Sequence, residues 1–422
     1  MLKARPMSSV LVAAFVAAST VVASSSALAV KVGPVEDPIG VVKVPKGSPI
    51  TIGGMWVLSG PDVALGLDQR RGAEIALKDV NNKVAGHSIK FVVEDDQCNA
   101  EGGQTAATKL AANEQLVVVL GPACSSVATP GAPILWKAGV TTICTSCTSP
   151  RLTASDRGPQ YDGFMRTVYS DIWQAKYDAE WIYNVLGYRK IATIHDGSPP
   201  LSQLTTLVAK RFKELGGEVV AAEAISPTDV EMRPVLTKMA AAKPDAIYQG
   251  LFVAAAAHFV RQSKEIAGLE KVEVIGAGGT LFTKDFLVAA GKAAVGLRMP
   301  YPDVSTEALG KKYPDFVKKY KDMFGEAPIQ GYHAHAYDAG VVALQAIEKV
   351  AVKDADGNTY IGRKALRDAL FGTKGYDGIS GPIACDPHGD CAKFKFAVYQ
   401  FTDANPDSFS PGANPKKVYP TQ

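Results

Sequence analysis

The feature that most limits the possible folds is the short apolar run VVVL at residues 117–120, closed by Gly121-Pro122 and followed by Ser125-Ser126. Apolar residues in succession, with no polar alternation, read as a strand buried on both faces, the mark of a parallel sheet covered by helices. The Gly-Pro pair ends the strand, and the serines stand where a helix can begin. Backbone N–H groups and hydroxyls then converge on one point, a seat suited to a carboxylate. The design recurs downstream, where 139–143 reads as another short strand and the loop CTSCTSPRLT, residues 144–153, follows it. Ligands of open α/β sheets sit outside the carboxyl ends of parallel strands, so these two strand ends are a candidate binding site.

The same alternation organises the rest of the chain. Residues 50–58 read as a strand, and 66–81 as a helix with Ala73, Ile75, Ala76, Leu77 and Val80 in one stripe. A strand over 88–94 and a helix over 101–113 complete a βαβα pattern, and 162–168 ends this half. It restarts with a helix over 173–186. Strands are then expected at 190–195, 218–222, 245–249 and 272–276, and helices at 201–215, 230–242 and 254–267. Longer helices are expected over 306–324, 333–350 and 363–371. The short runs at 382–384 and 394–401 read as a late antiparallel hairpin. Residues 30–48, rich in Pro, Gly and Val, read as an extended arm, and 406–422 as an extended tail. The pattern implies two α/β units, which 422 residues also allow.

The N-terminus reads as a leader rather than as part of the fold. Lys3 and Arg5 supply a positive start, 10–22 is apolar, and Ala27-Leu28-Ala29 is an A-x-A cleavage pattern. The apolar stretch is short against the ~20 residues of a spanning helix, and no cysteine follows Ala29, which argues against a lipoprotein. Cleavage removes two of the positive charges behind the formal +3, and a near-neutral chain is not expected to bind nucleic acid. An exported chain places its six cysteines in an oxidising compartment. Cys385 and Cys391 enclose the turn-rich DPHGD, which suits a local disulfide. Cys144 and Cys147 have the C-x-x-C spacing of thiol redox motifs, but Pro150 and the Ser/Thr content favour a loop with a local bridge or two buried thiols. His195 and Asp95-Asp96 read as structural. No nucleophile elbow, phosphate loop or zinc spacing is present, so neither a cofactor nor a metal is expected.

Several stretches resemble one family. DDQCN (95–99), GPACSS (121–126), TSPRLT (148–153), SGP (59–61), DQRRGAEIALKDVN (68–81), FMRT (164–167) and IATIHD (191–196) are similar, in order, to the leucine/isoleucine/valine-binding proteins of bacterial ABC importers. The resemblance runs from about residue 50 to about residue 400. It implies the type I periplasmic binding protein fold, two doubly wound parallel-sheet lobes joined by a three-strand hinge. Lobe I would hold 50–168 and 301–378, and lobe II 169–300 and 379–404. It also implies a periplasmic, monomeric, non-enzymatic carrier that hands a small amphipathic solute to an inner-membrane permease.

The resemblance assigns roles residue by residue. Cys98 and Cys124 fall on positions that form a disulfide. Ser125 and Thr148 fall on positions that hold an amino acid's carboxylate, and Ser146 on one whose backbone carbonyl takes an amine proton, with Cys147 between them in the ligand loop. Leu65 stands at a position that is often aromatic, Pro200 where the family has Tyr-Gly, and Phe252, beside Leu251, where an aromatic covers the ligand. Gly278 stands where the family usually places the acid that pairs with the ligand ammonium. An ammonium buried without a partner costs several kcal/mol. Either Asp196 or another acid substitutes, or the ligand is an apolar or aromatic carboxylate or amide. A reading of another class, an extracytoplasmic thiol enzyme using Cys144 and Cys147, requires an accessible, low-pKa thiolate.

Overall fold

The computed structural model describes residues 29–392 and 395–420, without the side chains of 306 and 307. Residues 1–28 of the expected leader lie outside them, as does residue 394, the expected start of the last strand. Two main sheets carry the chain. The first is six-stranded and runs, in spatial order, Lys83–Val84, His87–Asp95, Ile50–Trp56, Leu116–Leu120, Thr141–Cys144 and Phe164–Arg166. Only the short first member is antiparallel. The second is seven-stranded. It runs Glu218–Ala224, Lys190–His195, Ala246–Gly250, Glu273–Gly276 and Arg298–Pro302 in parallel, then Phe396–Gln400 and Lys416–Tyr419 antiparallel.

Ile50–Trp56, Leu116–Leu120 and Ala246–Gly250 are buried at every residue, as strands covered on both faces must be. In each sheet the earliest long strand lies between the second and the third. The strand order therefore reverses beside Ile50–Trp56 in one sheet and beside Lys190–His195 in the other. These two reversal points are where an open α/β sheet leaves a crevice at its carboxyl edge.

The chain moves between the sheets more than once. It leaves the first after Phe164–Arg166 and builds the second through Arg298–Pro302. It then returns, with His333–Val350 packed on Val63–Asp79. Asp68 and His333, both fully buried, tie that return. The Asp68 carboxylate accepts N–H bonds from Ile329, Gln330 and His333 at 3.1, 3.1 and 2.9 Å. Phe396–Gln400 closes the path by joining the second sheet.

Four expectations differ from the structure. The helix expected over 306–324 is two, Thr306–Leu309 and Tyr313–Phe324, because Gly310 adopts φ +80° between them. The runs at 382–384 and 394–401 are not one hairpin. Gly381–Ile383 pairs with Tyr376–Gly378, while Phe396–Gln400 lies between Arg298–Pro302 and Lys416–Tyr419. Residues 381–392, expected with the second sheet, lie against the first: Arg166 N donates to Gly389 O at 2.9 Å, and Cys391 N donates to Arg166 O at 3.2 Å. The arm and the tail are not simply extended. Val41–Val44 pairs with Thr359–Gly362 and Val30–Val32 with Val35–Asp37, and the tail strand covers the edge of the second sheet. An uncovered edge would leave a row of unpaired N–H and C=O groups. Among the described residues no helix is long and apolar enough to cross a membrane.

Candidate functional site

The carboxyl ends of the two sheets face each other across one cavity. Each sheet contributes the loops after three of its strands. From the first come Leu65, then Ala123 to Ser125, then Ser146 and Thr148. From the second come Pro200, Leu201 and Leu204, then Phe252, then Ala277, Gly279 and Thr280. The segment that leaves the first sheet adds Asp171 and Gln174, and Tyr332 also lines the cavity. A bond also joins the two sides: Ser149 Oγ, of the first, donates to Gln203 Oε1, of the second, at 2.5 Å.

The first wall is polar and rigidly supported. Ser125 opens the 13-residue helix Ser125–Lys137, so the unpaired first-turn N–H groups belong to this corner. Its hydroxyl accepts from Ser149 N at 3.1 Å. The Ser146 hydroxyl donates to Ala123 O at 2.7 Å and to Gln69 Oε1 at 3.1 Å, so it joins neighbouring loops. Beneath it, Trp56 Nε1 donates to Thr145 Oγ1 at 3.1 Å, and Thr145 to Gln69 Oε1 at 2.5 Å. The second wall is mostly apolar, through Pro200, Leu201, Leu204, Phe252 and Ala277, and the hydroxyl of its polar member, Thr280, donates to Leu251 O at 2.9 Å.

Asp171 was not among the residues expected at the site. It is the first residue of the helix Asp171–Glu180, whose N-cap is Ser170, and it is 2% exposed. Asp171 N donates to Thr148 O at 2.8 Å, and the Thr148 hydroxyl bonds to its carboxylate. Burial pushes its carboxyl up to about 6, against that hydroxyl bond and the charge of Arg166, which lower it. Arg166 does not pair with it directly, because its N–H groups point to Asp390, Cys147 O, Ser149 O and Thr153. A carboxylate of this kind, in a cavity that no Lys or Arg among the described residues lines, is suited to a ligand's ammonium. In sequence, Ser170-Asp171 reads only as a helix cap followed by a first-turn acid.

Of the expected residues, Ser125, Ser146, Thr148, Leu65, Pro200 and Phe252 come together around the cavity. Cys147 and Gly278 do not line it. Cys147 is fully buried and bonded to Cys144, its sulfur turned towards Pro122 O. Gly278 is packed so closely that a Cβ there would lie 2.2 Å from Pro300 O, whereas one on Gly279 would meet only Tyr332 Oη, at 3.1 Å. The glycine facing the cavity is therefore Gly279, and Gly278 is a close-packing residue. Asp196 does not line the cavity, and its carboxylate accepts from Ser198 N, Ser198 Oγ and Phe252 N. His195 Nδ1 accepts from Gly197 N at 3.0 Å, a structural role. Asp95 and Asp96 hold turns through Leu58 N and Cys98 N.

Cys98–Cys124 and Cys385–Cys391 are bridged as expected, and Cys144–Cys147 forms a local disulfide. No free cysteine remains among the described residues. With both sulfurs of the C-x-x-C pair bonded to each other and buried, the accessible thiolate that a thiol enzyme requires is not presented.

Comparison with known proteins gives consistent relatives. The profile of a family described as periplasmic binding protein matches residues 49–405. The leucine-specific-binding protein of Salmonella typhimurium is 26% identical over 390 residues, covering 91% of this chain and 96% of that protein. A branched-chain amino acid transporter substrate-binding protein of Streptococcus pneumoniae, solved in complex with isoleucine, superposes with a TM-score of 0.72 at 24% identity, covering 84% of this chain and 97% of its own. A solute-binding protein of an ABC transporter from R. palustris, solved with benzoate, superposes with a TM-score of 0.69 at 22% identity, covering 88% and 95%. These structures share the fold.

Proposed function

This chain belongs to the periplasmic binding protein family, and from that premise we propose that it captures a hydrophobic α-amino acid and delivers it to the membrane permease of an ABC importer. The observation that carries the amino-acid reading is Asp171. Its buried carboxylate is bonded to Thr148, whose neighbour Ser149 bonds to Ser125, and Leu65, Leu201, Leu204 and Phe252 line the same cavity with apolar surface. A zwitterion satisfies both: its carboxylate bonds to the donors at Ser125, its ammonium to Asp171, and its side chain to the apolar wall. Each charge-assisted bond contributes ~1.5–3 kcal/mol, so two with apolar burial reach the ~8 kcal/mol of a micromolar complex.

In this reading 50–168 and 301–392 act as one lobe and 169–300 and 395–404 as the other, and ligand capture closes them as a hinge. The Ser149–Gln203 bond supports it, since opening the cleft breaks it. The protein works as a monomer in the periplasm, exported by its leader, and needs no cofactor. Small-angle scattering should give a smaller radius of gyration on saturation with ligand.

Calorimetry with leucine and with its deamino analogue, 4-methylpentanoate, tests the ligand class. Loss of the amine is expected to cost more than ~2 kcal/mol. Equal affinities would overturn the amino-acid reading. A second reading, an apolar or aromatic carboxylate, is favoured by the apolar wall after Lys190–His195 and Ala246–Gly250 and by the benzoate held in the R. palustris protein. Benzoate belongs in the same titration series, and tight benzoate binding without leucine binding would select it.

A further inference from the structure

The ligand loop is held from outside the cavity by a feature that the capture reading does not use. Arg166 is fully buried. Its Nη1 donates to Cys147 O and to Ser149 O, each at 2.9 Å. These carbonyls belong to the residues before and after Thr148, so one guanidinium nitrogen fixes the 147–148 and 149–150 peptide planes around the residue that touches Asp171. Nη2 donates to Thr153 Oγ1 at 2.6 Å, at the far end of the loop, and Nε donates to Asp390. Thr153 Oγ1 in turn donates to Asp390 Oδ2 at 3.1 Å.

Asp390 does not belong to either wall of the cavity. It lies in the small loop closed by Cys385–Cys391. That loop is ordered by Asp386, whose carboxylate accepts His388 N at 2.8 Å and Asp390 N at 3.0 Å. A second buried arginine grips the same loop: Arg157 Nη1 donates to His388 O at 2.5 Å and to Leu152 O at 2.9 Å. A buried guanidinium that loses its carboxylate is strongly destabilising, and here the strain would fall on the carbonyls it orders.

We propose that Asp390, presented by the Cys385–Cys391 loop, is a positioning residue that acts through Arg166 to set the geometry of the ligand loop at Thr148, and so the affinity of the cavity it never touches. The affinity half of this inference rests on the capture reading above; the ordering of the loop does not. Hydrogen-exchange mass spectrometry of the ligand-free protein measures the second directly. Asp390→Asn and the double variant Cys385→Ser/Cys391→Ser should each speed exchange over 144–153 by about tenfold while leaving 246–250 at the parent rate. Asp390→Glu, which keeps the charge, should restore much of the protection. Thr153→Ala removes contacts to both Arg166 and Asp390 and should give a weaker form of the same local signature, which keeps the test open if Asp390→Asn does not fold. Leucine affinity, followed by calorimetry, should fall in the same order, whereas Phe252→Ala should lower it without changing exchange over 144–153. Unchanged exchange over 144–153 in these variants, or a rise spread evenly along the chain, would overturn the proposal. Failure of leucine to bind the parent would count against the proposed function instead, and the exchange comparison would still decide this one.

Discussion

The two walls of the cavity occupy the same topological places and are built oppositely. In each sheet the lining comes after the strands around the reversal of strand order. The first sheet supplies hydroxyls, a helix N-terminus preceded by the Cys98–Cys124 disulfide, and a loop braced by the Cys144–Cys147 disulfide and a buried arginine. The second supplies Pro200, Leu201, Leu204, Phe252 and Ala277. The acid proposed to answer a ligand's charge, Asp171, belongs to the segment between them. In the proposed function a ligand can thus be oriented by the first wall and the connecting segment alone, with the second wall adding area and excluding water on closure. The proposal assigns charge recognition and closure to different parts of the chain, so substitutions on the two walls should have separable effects.

The largest effect should come from treating Gly278 as a cavity position. Gly278→Glu brings a Cβ to 2.2 Å from the Pro300 carbonyl oxygen. Overpacking costs ~1–3 kcal/mol, and a carboxylate buried without a partner adds several more. Thermal unfolding should show a grossly destabilised or unfolded protein. Gly279→Glu should fold with stability within about 1 kcal/mol of the parent, since its side chain has the cavity to enter. Equal losses in the two variants would break the assignment of which glycine the second wall presents. Next in size is Asp171→Asn. It keeps the shape and removes the charge, so leucine binding by calorimetry should weaken by about 3 kcal/mol, or roughly a hundredfold. The deamino analogue should bind the variant at least as well as the parent.

These two positions also mark where the sequence stops being legible. The parallel strands and their ends could be read because a strand buried on both faces leaves an uninterrupted apolar run, and the polar wall followed because Ser125, Ser146 and Thr148 lie directly after such runs. Gly278 and Gly279 are adjacent and chemically identical, so which one meets Pro300 depends on where the second sheet carries Arg298–Pro302. Asp171 looks like any acid after a serine cap until the chain's crossing aims it at Thr148. The pairing of the late strands is hidden for a similar reason: Phe396–Gln400 finds partners in Arg298–Pro302 and Lys416–Tyr419, and local spacing carries no trace of those pairings.

A smaller effect tests the apolar wall. Phe252→Ala removes a half-buried ring from the cavity side of the second sheet. At ~25 cal/mol per Å² of apolar area, the loss should be about 1–2 kcal/mol, close to tenfold. It should be the same for leucine and for its deamino analogue, because this wall does not see the amine. A loss that differs between the two ligands would contradict the separation of roles.

The smallest effect, and the one that distinguishes the ligand classes without any change to the cavity, is that of pH. Burial holds the Asp171 carboxyl at about 6. An ammonium binds its charged form, so below pH 6 each bound leucine must displace a proton, and affinity should fall by about tenfold between pH 7 and pH 5. A carboxylate without an amine prefers the neutral acid, so its affinity should rise over the same interval, until the ligand's own carboxyl begins to protonate. Asp62 titrates in the same window: burial, with Asp196 and Asp285 nearby, pushes it up to about 6 as well. Two variants separate the contributions. In Asp62→Asn the pH dependence of leucine binding should persist, and in Asp171→Asn it should flatten. The opposite pattern, with dependence lost in Asp62→Asn and kept in Asp171→Asn, would move the charge-reading group from the segment beside Thr148 to the start of the Val63–Asp79 helix. The division between an orienting wall and a covering wall would then have to be redrawn.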